Sequence, residues 1–185
     1  MKEFIKRYLD ELKRALDDLN PEEISKIIEV LKKAHENKKR IFVMGNGGSA
    51  ATANHFTCDF GKNAIRDDDR RIKIISLSDN ISYITAYGND MGYEYVFVEQ
   101  LKNLMEPGDI VIAISASGNS PNIIKAVEYA REKGSVVIGL TGGKGGKLKE
   151  LADISVIANI NTYEQIEDIH MIITHMIVYW FKSNH

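Results

Sequence analysis

The chain has 185 residues, 44% hydrophobic and 27% charged, with a net charge of -2 and one cysteine. That length and apolar content suit one compact domain with a sizeable core, and the balanced charge gives no electrostatic reason to expect nucleic-acid binding. A lone Cys58 cannot form an internal disulfide, no apolar run approaches a membrane span, and the N-terminus reads as a charged helix, so a cytoplasmic protein without a membrane partner is expected.

In chain order, Phe4, Ile5, Tyr8, Leu9, Leu12, Ala15, Leu16 and Leu19 recur at helical spacing and give the first segment one apolar face. Asn20-Pro21-Glu22-Glu23 is an N-cap followed by proline and acidic residues, and it opens a second helix with Ile24, Ile27, Ile28, Leu31 and Ala34 on one side. The apolar stripe of this helical part, residues 1–38, must be covered either by the chain's own sheet or by a partner subunit. Beyond Lys39 the pattern changes to short β-branched strands, at 41–44, 72–77, 110–114, 136–140 and 154–158, alternating with helices. Such alternation predicts an α/β domain with a parallel sheet and helices on both of its faces. Ligands of such sheets bind outside the carboxyl ends of the strands.

Two loops lie at such ends. Gly45-Asn46-Gly47-Gly48-Ser49-Ala50 follows the first strand and leads into a helix-like segment at 51–60. It lacks the third glycine of the dinucleotide fingerprint and the Gly-Lys-Ser/Thr of a P-loop, so a nucleotide is not the favoured ligand. Ser115-Ala116-Ser117-Gly118-Asn119-Ser120-Pro121 follows the third strand and precedes an amphipathic helix at 122–132. Backbone N–H groups at such a helix start lack intrahelical partners and carry partial positive charge, and the serine hydroxyls add donors, so this turn can hold a phosphate. The loop from Thr141 to Gly146 reads as a flexible turn, the mixed-charge cluster at 66–71 as a solvated loop, and Cys58 as an inert buried thiol.

His55 and Asp59 are four apart on the helix after the glycine loop and project from one face, where they can share a divalent metal or act as an acid–base pair. The last helix, from about Glu164 to Phe181, is apolar nearly all round yet carries Glu167, Asp168, His170 and His175. Ionisable groups in that setting need partners or a function. Asp168 and His175, seven apart, align better than Glu167 and His175, so Asp168 is a candidate to orient His175. His170 reads as a core or interface histidine.

The two loops, together with the run from Gly45 to Phe56, the segment Gly88-Asn89-Asp90-Met91-Gly92-Tyr93, and Ile166 to His170 with His175, resemble the sugar isomerase (SIS) family, and within it the sedoheptulose-7-phosphate (phosphoheptose) isomerase branch. The resemblance covers nearly the whole chain as a single domain. It implies the SIS fold, a flavodoxin-like three-layer αβα sandwich with a five-stranded parallel sheet, preceded by helices that in the family help build a homotetramer. It implies an aldose–ketose isomerase acting on a phosphorylated sugar by enediol proton transfer, with Asp59 and His175 catalytic. A zinc ion would be held by His55, Asp59, Glu167 and His175. Substrate contacts would come from Asn46, Gly47, Gly48, Asn89, Asp90, Ser115, Ser117, Ser120 and Glu167. The family usually has glutamate at the position of Asp59, glutamine at that of Glu167 and threonine at that of Ala116.

Overall fold

The computed structural model describes residues 1–65 and 71–184. All but Arg71 of the mixed-charge cluster lies outside the described residues. Five parallel strands, β1 (Arg40–Gly45), β2 (Lys73–Ser76), β3 (Ile110–Ser115), β4 (Val136–Gly142) and β5 (Ile154–Ala158), form a sheet in the order β2-β1-β3-β4-β5. The strand order reverses direction between β1 and β3, which pair from Ile41↔Ile110 to Gly45↔Ile114. The crevice at such a reversal is where doubly wound sheets place ligands, and both predicted loops leave the sheet there.

Alternation along each strand splits the core in two. Ile41, Val43, Ile110, Ile112 and Ile114 face α1 (Lys2–Asp17), α2 (Pro21–Glu36), α3 (Gly48–Asp59) and α8 (Tyr163–Asn184). Phe42, Met44, Val111, Ala113 and Val137 face the other layer. That layer holds α4 (Ile81–Asp90), α5 (Val98–Leu104), α6 (Pro121–Glu132) and α7 (Gly146–Leu151). The near-continuous β-branched runs follow from burial on both faces.

The helical part divides in its fate. Asn20 caps α2 as expected, its side chain accepting from the Glu22 N–H, and Ile24, Ile27, Leu31 and Ala34 pack on the sheet. On α1 only Ala15 is buried, while Phe4, Ile5 and Leu9 remain 59%, 50% and 48% exposed. The middle of α1 is held to α8, where the Tyr8 hydroxyl donates to Asp168 Oδ2 at 2.6 Å and Gln165 donates to the Tyr8 carbonyl. The hydrogen bond to this carboxylate, aided by burial, pushes the Tyr8 hydroxyl up to about 12.

Cys58 is exposed, not buried as expected. The buried stripe of α3 is Ser49, Thr52, Ala53 and Phe56, and a residue two beyond Phe56 is turned about 200° away from it. No described helix is long and apolar enough to cross a membrane.

Candidate active site

The glycine loop is part of α3 itself, which starts at Gly48 rather than near residue 51. Gly47, at φ 54° and ψ -123°, turns the chain from β1 straight into the helix. A Cβ on Gly45 would lie 2.4 Å from the Ser49 carbonyl oxygen, so the close strand-to-helix turn demands glycine. The serine turn follows β3 and caps α6 with Ser120 before Pro121. Ser115 and Ser120 hydroxyls are 3.3 Å apart, and the Ser117 hydroxyl accepts the Asn119 N–H at 3.2 Å. Together the loops enclose a cavity of about 150 Å³ lined by Asn46, Ser49, Ser115, Ser117, Ser120, Tyr163 and Glu167, with Ile114 and Ala116. Its size and its four hydroxyl-bearing serines suit a phosphate group.

Beneath it, the loop after β4 is a buttress rather than a flexible turn. The Gly142 N–H donates to the Ala116 carbonyl, the Leu148 N–H to the Gly118 carbonyl, and the Lys147 N–H to Asn119 Oδ1. A Cβ on Gly118, itself at φ 65°, would lie 2.0 Å from the Gly145 carbonyl oxygen. Three glycines at positive φ, Gly143, Gly145 and Gly146, let this loop lie flat against the serine turn. His170 anchors its start. The side chain is buried and its Nε2 lies 3.0 Å from the Thr141 carbonyl oxygen, so of the two expected placements, core or interface, the ring takes the core. Burial pulls its pKa down to about 4.

Helices α3 and α8 run side by side in the same direction. Near their starts the Glu167 carboxylate covers Gly48, where a Cβ would lie 2.1 Å from Glu167 Oε2. Further along, His55 Nε2 and His175 Nε2 approach to 2.8 Å, and Asp59 Oδ2 lies 3.3 Å from the first and 3.8 Å from the second. Phe60 fixes this meeting: its ring stacks on Phe56 at 5.1 Å and meets Phe181 edge-on at 4.9 Å. Phe60 also begins a π-helical turn, Phe60–Ala64, a feature frequent at functional sites. Asn63, within that turn, donates to Asp59 Oδ1 at 3.4 Å, leaving Oδ2 toward the histidines.

Two imidazole nitrogens and a carboxylate oxygen within 4.8 Å of one another form a donor set that suits zinc in a site with an open position. The cluster is half-open to solvent, with side-chain exposures of 45%, 28% and 50% for His55, Asp59 and His175. Glu167 is not among these three: the structure turns its carboxylate to Gly48 and the serine cavity. Nor does Asp168 orient His175, because its carboxylate is engaged by Tyr8 on the α1 side. Asn89 and Asp90 lie exposed at the end of α4, with Asn89 donating to Asp90 Oδ1, and neither lines the serine cavity.

A family model for the SIS domain matches residues 4–142. This chain belongs to the SIS domain family. Within the family, it is 40% identical over 154 residues to a phosphoheptose isomerase of Helicobacter hepaticus, covering 83% of this chain and 78% of that one. It is 38% identical over 172 residues to a probable phosphoheptose isomerase of Thermoplasma acidophilum, covering 93% and 94% of the two chains. The solved phosphoheptose isomerase of Neisseria gonorrhoeae superposes with a TM-score of 0.89 at 30% identity, over 98% of this chain and 96% of that one. The SIS fold seen here is thus that of the phosphoheptose isomerases, and the chain groups with them.

Several residues of this SIS domain escaped sequence reasoning. Asn122 and Tyr93 both bond Asn46, and Tyr163 closes one side of the cavity. Asn122 stands next to the serine turn and Tyr93 ends the Gly88 to Tyr93 segment, but no spacing marks either as a partner of Asn46, which the sheet topology brings to them.

Proposed function

We propose that the chain is an aldose–ketose isomerase that converts sedoheptulose 7-phosphate into D-glycero-D-manno-heptose 7-phosphate. The observation that carries this reading is the pairing, on two parallel helices, of a serine-lined cavity with a His–Asp–His cluster in a chain that groups with phosphoheptose isomerases.

The spacing supports a long sugar. Ser49 in the cavity and His55 in the cluster are six residues apart on α3, a rise of about 9 Å. At the roughly 1.2 Å per bond of an extended chain, the carbonyl carbon and the phosphorus of an open-chain 2-ketoheptose 7-phosphate are about 8 Å apart. Phosphate held by Ser115, Ser117, Ser120 and the start of α6 then fixes the far end of the sugar. That anchoring makes proton transfer at the other end a matter of orientation.

In the reaction, a carboxylate oxygen of Asp59 removes a proton from C1 of the ketose, giving an enediol, and the proton returns at C2 to give the aldose. His175, whose Nε2 lies 2.8 Å from His55 Nε2 and 3.8 Å from Asp59 Oδ2, exchanges protons with the O1 and O2 oxygens. Asn63 restrains Asp59, so the shorter side chain keeps one orientation toward the histidines. Zinc bound by His55, Asp59 and His175 would occupy the same atoms as these free acid–base roles and would be the alternative to them, supplying a Lewis acid that polarises the carbonyl. Glu167 belongs to the cavity and contacts the substrate rather than the metal. Gly47 and Gly48 let the backbone approach the ligand, and Asn89 and Asp90 reach the sugar from the end of α4.

The half-exposed cluster and the apolar side chains left in solvent on α1, α4 and α8, among them Phe4, Ile81 and Tyr179, support a homotetramer whose subunits cover these faces. With no described membrane-spanning helix and a free thiol, the enzyme works in the cytoplasm. Turnover of sedoheptulose 7-phosphate, measured after chelation and after zinc is restored, tests the reading. Turnover that falls with chelation and returns with zinc supports both reaction and metal. Undiminished turnover in the chelated protein removes zinc and leaves Asp59 and His175 as a metal-free acid–base pair.

A further inference from the structure

Among the described residues, Asn46 is the one cavity residue whose amide is held from two sides. Its Oδ1 accepts from Asn122 Nδ2 at 2.8 Å and from the Tyr93 hydroxyl at 3.0 Å, and its Nδ2 donates to Asn122 Oδ1 at 2.9 Å. The direction of every bond in this group is dictated by the backbone. Asn122, buried at the second position of α6, accepts the Ile123 N–H on its Oδ1 at 2.9 Å, and a backbone N–H can only donate. Asn122 Oδ1 is therefore the acceptor end and its Nδ2 must face Asn46 Oδ1. Both lone pairs of the Asn46 oxygen are then occupied, whereas its nitrogen has spent one of its two hydrogens. What Asn46 offers to the cavity is a donor, the group an anion needs.

Tyr93 reaches this amide from a different element. It follows Gly92, whose φ of 108° bends the chain out of α4 just after Asn89 and Asp90. Its ring is 55% exposed and lies outside both buried cores, so packing does not explain why its hydroxyl sits on Asn46.

We infer that Tyr93 is a positioning residue for the anionic end of the substrate: its hydroxyl, with Asn122, locks the Asn46 amide so that an N–H faces the serine cavity, and it ties the segment carrying Asn89 and Asp90 to the phosphate turn. This rests on reading the serine cavity as the phosphate site.

The test is a double-mutant cycle on the full chain, with Tyr93→Phe, Asn46→Ala and the pair. Inorganic phosphate binding is measured by calorimetry, and KM and kcat are measured for sedoheptulose 7-phosphate. Tyr93→Phe weakens phosphate binding about two- to tenfold, the range of one lost hydrogen bond, and the loss falls on KM rather than kcat. In the Asn46→Ala background the same change has no further effect, because its target is gone. The exposed ring leaves the unfolding midpoint of Tyr93→Phe where it was, which separates positioning from folding. Equal phosphate affinity in Tyr93→Phe and wild type overturns the inference alone. So do losses that multiply in the double mutant, since Tyr93 would then touch the ligand by itself. A wild-type chain that binds no phosphate overturns this inference and the reading of the cavity together.

Discussion

His170 gives the fold a pH dependence that can be worked from its surroundings. Desolvation in the core lowers its pKa to about 4, against a smaller opposing effect from the Thr141 carbonyl. The neutral ring donates through Nε2 to that carbonyl, and its buried Nδ1 has no hydrogen-bond partner among the described residues. A second proton would thus place an unpaired charge beneath the buttress loop. Between the unfolded value near 6.5 and the folded value near 4, the unfolded chain binds the proton and the folded one does not. Stability is therefore full above about pH 6.5 and falls as the pH drops toward 4. The loss from this group reaches roughly 3 kcal/mol, at ~1.4 kcal/mol for each pH unit separating the two values, and stays constant below. The assay is the imidazole NMR titration of His170, paired with urea midpoints of wild type and His170→Gln at pH 7, 6, 5 and 4. The expected result is a ring neutral down to about pH 4 and a wild type that loses more stability than the variant across that window. A His170 resonance titrating near 6.5, or two stability curves that stay parallel, would mean that the buried ring carries its charge at no cost to the fold.

Replacing His175 by alanine removes the acid–base partner while leaving the serine turn intact. A fall in kcat of about 10²- to 10⁴-fold is expected, with phosphosugar affinity within tenfold by calorimetry. Gly118→Ala combines a φ of 65° with a Cβ 2.0 Å from the Gly145 carbonyl oxygen; a destabilisation of about 1–3 kcal/mol and loss of phosphate binding should appear in unfolding curves and calorimetry. Pentose 5-phosphates, two carbons shorter by roughly 2.5 Å of extended chain, should bind through the phosphate yet turn over far more slowly than the heptose phosphate in a substrate panel.

Much of this arrangement was legible in the sequence because it is local. The β-branched runs, the Asn20 cap and the two loops at strand ends each carry their signal within a few residues, and the sheet follows from their alternation. His55 and Asp59 share a helix face by spacing alone. What was not legible depends on how α8 lies between its neighbours. Helical periodicity aligns Asp168 with His175, but α1 supplies Tyr8, and that hydroxyl takes the carboxylate. The same placement turns Glu167 toward Gly48, away from the histidines with which the family resemblance grouped it. The Thr141 to Gly146 loop misled for a related reason: glycines that read as flexibility serve close packing, since Gly146 and Gly118 have backbone where a Cβ would stand. Thiol burial at Cys58 failed because apolar neighbours in sequence are not neighbours on a helix.

A ketose-to-aldose conversion on a seven-carbon phosphosugar is the activity that one incubation addresses. Purified protein is mixed with sedoheptulose 7-phosphate and aldose formation is followed over time. The predicted result is catalytic conversion to D-glycero-D-manno-heptose 7-phosphate that approaches equilibrium and is lost in His175→Ala. Saturable binding of sedoheptulose 7-phosphate without any aldose, with and without added zinc, would contradict it.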